Sequence, residues 1–164
     1  MTVSTGRIRV AALVVEVQRA VAADDIPPSA RFREWATAAW LGAERAAEVV
    51  VRVTGEAESR RLNRDFRGKD RPTNVLSFAN DPVPGIDEQH AGDLVICAPV
   101  VRREAAEQGK AVDAHWAHMV VHGMLHLQGY DHETDDDADV METLETKILA
   151  GLGFPAPYAD DERP

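Results

Sequence analysis

The stretch HGMLHLQGYDH, from His122 to His132, sets three histidines at offsets of 0, 4 and 10, with a glycine between the second and the third. Residues four apart on a helix lie one above the other, so His122 and His126 can aim their imidazoles at one centre. Gly129 can take the positive φ that ends a helix, and the turn it makes returns His132 toward the same point. Three neutral imidazoles leave the fourth tetrahedral position of a zinc ion to water, which is a catalytic geometry rather than a closed structural one. Any one of these histidines alone reads as an ordinary surface or core residue. Together, with the turn glycine correctly placed, His122, His126 and His132 read as the ligands of one zinc ion.

Two more histidines lie upstream, and His115, His118, His122 and His126 share one helical stripe. A pair formed by His118 and His122 would leave His126, nearest the turn, without a role. His118 therefore reads as a buried hydrogen-bonding group behind a ligand, and His115 and His90 as surface residues. The stretch matches the metzincin peptidase pattern H-E-x-x-H-x-x-G-x-x-H at every histidine and at the glycine, but Gly123 stands where the glutamate belongs. That glutamate is the general base of peptide hydrolysis, so peptidase chemistry by this route is not expected. Zinc-bound water has its pKa lowered toward ~7, and a phosphodiester hydrolase then needs positive charge at the phosphate.

The chain as a whole carries a formal charge of −10, which argues against a polyanion as partner. The distribution alters that conclusion. Segment 60–71, RRLNRDFRGKDR, holds six basic residues against two acidic ones, a basic strip on an acidic body. Within it, Arg67 reads equally well as a bidentate phosphate contact or as a helix-end arginine pairing Asp65 or Asp70. Arg60, Arg61, Arg64 and Lys69 read first as a solvated face. Asp131 can orient a ligand imidazole or serve the turn. The run DDDAD at 135–139 reads as the acidic first turn of a helix rather than as a second cation site. Cys97, at the end of a strand-like run, reads as a buried, inert thiol.

The elements that must position these groups follow from periodicity. Residues 8–17 are β-branched and read as a strand, 29–41 as a helix after Pro27-Pro28, 46–54 as a strand, and 56–66 as a helix stopping near Gly68. Residues 73–80 and 92–98 read as strands joined by a surface loop, and Pro99 opens a helix that ends at Gly109. Helices over 113–128 and from Thr134 onward complete the chain. The expected fold is α/β (α+β), with a mixed sheet of about four strands and about five helices.

With 164 residues and 45% hydrophobic residues, one domain spanning 1–164 is expected, its tail flexible from about residue 159. The longest apolar run, VAALVV, is six residues, far too short for a bilayer, so no membrane partner is expected. A single cysteine allows no internal disulfide, and no secretory pattern opens the chain; a cytoplasmic location is expected.

HMVVHGMLHLQGYDH at 118–132, LNRDFRGKDRPTNVLSF at 62–78 and GDLVIC at 92–97 closely resemble the YbeY family of bacterial endoribonucleases, and ETLETKILAGLGFPAPY at 142–158 is similar as well. The resemblance runs from about Ala46 to Tyr158, with three separated blocks in the family's order. It implies a zinc-dependent hydrolase of single-stranded RNA that matures ribosomal RNA, especially the small-subunit 3′ end, and takes part in ribosome quality control. Its partners would be precursor ribosomal RNA and the small ribosomal subunit with its proteins. By resemblance, the metal ligands fall on His122, His126 and His132, and the family's functional arginine on Arg67. Two departures are Phe66, where the family often has tyrosine, and Asn74, where many members carry aspartate. The alternatives are a non-catalytic ribosome assembly factor with a structural zinc and, last, a peptidase without its usual base.

Overall fold

A computed structural model describes residues 13–42, 46–80 and 89–158. In chain order the elements are β1 (Leu13–Arg19), α1 (Ser29–Ala38), β2 (Ala47–Thr54), α2 (Glu56–Arg67), β3 (Val75–Ala79), β4 (Gln89–Cys97), α3 (Ala98–Gln108), α4 (Val112–Leu127) and α5 (Asp135–Gly151). Four strands form one sheet in the order β1-β2-β4-β3; the first three run parallel and β3 pairs antiparallel to β4. The fold is α+β, a four-stranded mixed sheet with five helices, as expected. The expected strand over 8–17 begins among residues outside the described ones; the described part continues to Arg19. The surface loop expected between β3 and β4, and the tail from about residue 159, lie outside the described residues.

Local signals set most boundaries. Helix α2 has Glu56 and Glu58 in its first turn and Arg64 and Arg67 in its last, each sign at the end of the dipole that favours it, and Gly68 closes it at φ 72°. Helix α5 starts on Thr134, whose Oγ1 accepts the Asp137 N–H at 3.0 Å, with Asp135 to Asp137 in the first turn. That cap and dipole account for the acidic run without a second cation.

Helix α4 differs from its neighbours. From His115 to Leu127 every residue is buried except His122 and His126, which are half-buried. An all-round apolar helix must be enclosed by other elements, and α4 is: it packs on β3 and β4 and is flanked by α1, α3 and α5. Trp116 meets Phe32 of α1 edge-to-face at 5.5 Å, and Met124 and Leu125 are fully buried with Leu94 of β4. The helix that carries two of the candidate ligands is thus the core of the molecule, opening to solvent only along their edge.

Two expectations are corrected. His115 is not a surface residue: it is 2% exposed, and its Nε2 lies 2.8 Å from Glu104 Oε1 on α3. Enclosure of α4 on all sides buries the histidine, and the carboxylate on α3 satisfies one ring nitrogen. His90 lies in β4 rather than in the loop, paired in register with Glu48 of β2 and with its ring 3.0 Å from Asp93 Oδ1. The strand extends upstream of Gly92 because the register shifts between Glu48 and Val49, allowing pairing to resume across an irregular step.

Candidate metal centre

His122 and His126 project from the last two turns of α4, and the Gly129 turn brings back His132. Gly129 takes φ 97°, a conformation that costs glycine nothing. Its N–H bonds His126 O at 3.0 Å, and Tyr130 N bonds Leu125 O at 3.1 Å, so the chain reverses tightly against the helix end. The result is three imidazoles whose ligand atoms all lie within 4.8 Å of one another. The Nε2 atoms of His122 and His126 face each other at 3.2 Å, and the His132 ring centroid stands 5.7 and 5.3 Å from theirs. Side-chain exposure rises from 19% at His122 to 54% at His132, so the trio opens on one side to solvent.

Behind His122 stands a group that periodicity and spacing did not single out. Glu145 of α5 is fully buried; its Oε2 lies 2.5 Å from His122 Nδ1, and its Oε1 takes His118 Nε2 at 3.1 Å and the Tyr158 hydroxyl. A carboxylate has no proton to give, so His122 Nδ1 donates the hydrogen, and its Nε2 is the nitrogen turned toward the His126 ring. Burial pushes the Glu145 carboxyl up, but hydrogen bonds from His118, His122 and Tyr158 outweigh it and hold the group well below the usual carboxylate range. Burial also pushes the His118 imidazole down, the Glu145 bond opposing it only in part. The sequence did contain a signal for Glu145: it interrupts the buried stripe Met141, Glu145, Leu149 at i, i+4, i+8.

His118, His122 and Glu145 form a second grouping within the same distance. Glu145 bonds one ring nitrogen of each histidine, and His118 and Glu145 are buried, so the grouping backs the first rather than opening to solvent. His118 is placed as expected. In the outer trio, the His122 ring is tied back through Nδ1, and one ring nitrogen from each of the three imidazoles comes within 4.8 Å of the others on the partly open side. That set fits a borderline divalent metal ion.

Gly123 explains the missing glutamate. A Cβ at this position would meet Leu94 Cδ2 at 2.8 Å and Ser77 Oγ at 3.3 Å, and Ser77 Oγ bonds the Gly123 carbonyl at 3.2 Å. The residue after the first ligand faces the sheet, not the metal, and α4 lies too close to that sheet for a side chain. A general base could not work from there.

The trio lines one wall of a cleft of about 520 Å³, whose other walls include Arg67, Asn74, Ser77 and Asp131. Arg67 reaches it from the end of α2 by crossing the edge of β3, where its Nη2 donates to Ser77 O at 3.4 Å. The acids that might have held Arg67 pair with other arginines: Asp70 takes Arg60 at 2.7 and 3.0 Å, and Asp65 takes Arg64 at 3.2 Å. Asp131 lines the cleft but serves the turn, accepting the His132 N–H at 2.6 Å; its oxygen is 3.9 Å from His132 Nδ1, too far for a hydrogen bond. Cys97 is fully buried, and burial pushes its thiol up. No described helix is long and apolar enough to cross a membrane.

The family model described as Endoribonuclease YbeY matches residues 22–153. The Endoribonuclease YbeY of Aromatoleum aromaticum is 59% identical over 150 residues, covering 90% of this chain and 93% of that one. That of Alkalilimnicola ehrlichii is 57% identical over 157 residues, covering 93% and 95%. The solution structure of TM1509 from Thermotoga maritima shares the fold at 22% identity, with a TM-score of 0.51 over 92% of this chain and all of that one.

Proposed function

We propose, from the premise that this chain belongs to the YbeY family of endoribonucleases, that it is a single-domain, zinc-dependent endoribonuclease of single-stranded RNA. Its substrate is ribosomal RNA, in maturation of the small-subunit 3′ end and in ribosome quality control, and it works in the cytoplasm against the small ribosomal subunit and its proteins. The observation that carries the reading is the convergence of His122, His126, His132 and Arg67 on one cleft.

His122, His126 and His132 would hold the zinc ion, which supplies Lewis acidity and activates water near neutral pH. The Glu145 carboxylate fixes the tautomer and orientation of His122 through Nδ1. Arg67, free of a carboxylate partner in its own strip, offers two parallel N–H donors to non-bridging phosphate oxygens and offsets the charge that develops there. The trio opens on one side to solvent, with Arg67 lining the same cleft, so a phosphodiester can meet the imidazoles and the guanidinium together. A purely structural zinc would call for a closed, fully buried shell; the gradient of exposure from His122 to His132 favours the catalytic reading over that of a non-catalytic assembly factor.

Cleavage of a short single-stranded RNA by wild type, His126→Ala and Arg67→Ala, each with its zinc content measured, tests the proposal. Activity lost together with zinc in His126→Ala, and lost with zinc retained in Arg67→Ala, is expected. A folded, zinc-loaded wild type that cleaves neither free RNA nor ribosomal particles would overturn it.

A further inference from the structure

Helix α2 is strongly polar, yet it presents a large aromatic ring to water. Phe66 is 66% exposed, the only aromatic among the exposed large hydrophobic residues of the described chain. Leaving most of such a ring in solvent forgoes burial at about 25 cal/mol per Å², and nothing about the helix requires it: the turns around Phe66 are held by Asn63, whose Nδ2 donates to Arg71 O at 2.8 Å, and by the Gly68 cap.

The ring does not swing freely. Phe78 of β3 meets it edge-to-face, centroids 5.3 Å apart and planes at 71°, a favoured aromatic geometry that occupies one side of Phe66 and leaves the rest to solvent. Side chains alternate along a strand, so Phe78 stands on the face of β3 opposite to Ser77, which lines the cleft. The last two residues of α2 therefore clasp the edge of β3: Arg67 bonds the Ser77 carbonyl and lines the cleft, while Phe66 rests on Phe78 of the same strand. Phe66 and Arg67 are consecutive, so the ring and the guanidinium leave the helix end from adjacent Cα atoms, ~3.8 Å apart. Arg64 and Lys69, two positions before and three after Phe66, are exposed as well.

We infer that Phe66 is a base-stacking platform: it takes the exposed face of a nucleobase in the single-stranded RNA whose phosphate lies on Arg67. This rests on the reading of the cleft as an endoribonuclease site and extends it to a defined substrate contact. An aromatic face flanked by cations is what an unpaired strand recognises, because every base has a π-face and every linkage a charge. A duplex keeps its bases stacked on one another and cannot offer one, so Phe66 contributes to the preference for single strands. The contact is tolerant of base identity and fixed in position relative to the cut.

The test uses a labelled oligouridylate, too weakly stacked to fold, with a single abasic site walked along it. Binding is read by anisotropy on the full chain carrying His126→Ala, and cleavage on the otherwise wild-type chain, each with Phe66, Phe66→Ala, Phe66→Leu and Phe66→Tyr. Loss of one stacked base costs about 5- to 100-fold in affinity. Phe66→Ala and Phe66→Leu are expected to weaken binding and raise KM by that order, with kcat changed little, and Phe66→Tyr to behave as wild type. At one abasic position the Phe66 protein loses the same factor while the Ala and Leu proteins lose nothing further. Equal response of all four at every abasic position, or Phe66→Leu binding as well as wild type, would overturn the inference and mark the ring as a contact for protein instead. A wild type that binds RNA with this pattern but does not cut it would sink the endoribonuclease reading and leave the stacking contact standing.

Discussion

Glu145 Oε2 lies 2.5 Å from His122 Nδ1, joining the two longest helices of the fold directly behind the candidate metal ligands. The other oxygen of the same carboxylate is held by His118 and Tyr158, so the His122 ring is positioned by a group that is itself fully hydrogen-bonded.

Outer partners of this type set metal affinity by about 10- to 100-fold. Glu145→Gln should weaken zinc binding by that order in a chelator competition, and Tyr158→Phe by less, since it removes one of three bonds to the carboxylate. Zinc affinity unchanged in folded Glu145→Gln would show that the carboxylate merely fills the core.

Arg67→Ala should lower cleavage by about 100- to 1,000-fold, the usual cost of removing one preorganised charge donor, with zinc content and melting temperature unaltered. Arg67→Lys should recover only part of the loss, because an ammonium lacks the planar fork. Equal rates for Lys and Arg would reduce the role to bulk charge.

Gly123→Glu restores the metzincin pattern in sequence, but its side chain would enter the contact between α4 and the sheet, where a Cβ already meets Leu94 at 2.8 Å. Overpacking costs about 1–3 kcal/mol, and the buried carboxylate adds to it. Urea denaturation should show a loss of about 3 kcal/mol or more, and casein should remain uncut. A Gly123→Glu protein as stable as wild type would contradict the close approach.

The Arg52 guanidinium holds the Glu58 carboxyl below its ordinary value against the opposing effect of burial, with the Thr54 hydroxyl assisting. A carboxyl whose folded pKa is depressed contributes stability that is complete above its unfolded value of 4.5 and is lost as pH falls through the folded one. For a partly exposed pair the contribution is about 1 kcal/mol or less. Glu58→Gln should therefore melt below wild type at neutral pH, and the two curves should converge below pH 4.5. A gap of constant size down the acid limb would assign the difference to packing.

The chain's local chemistry was open to reading in one dimension. The offsets of His122, His126 and His132 are set by helical period and one turn glycine, and all three fall within eleven residues, so the trio needed no long-range contact to be recognised. The same holds for the Gly68 stop and the Thr134 cap, where one residue's conformational or hydrogen-bonding preference decides the boundary. Whether Arg67 served a salt bridge or the cleft turned instead on which acids Arg60 and Arg64 had taken and on the path across the edge of β3.

Only packing between distant segments decided the rest. Enclosure of α4 by α1, α3, α5 and the sheet buried His115 against Glu104, which a helical stripe cannot reveal because it gives the direction of a side chain and not what covers it. Glu145 and Tyr158 reach His118 and His122 from 23 to 40 positions away in sequence, and a strand register shift kept His90 inside β4. Periodicity specifies which residues share a face; the identity of the opposing face comes from tertiary structure, and that face fixes the orientation of His122 and excludes a side chain at Gly123.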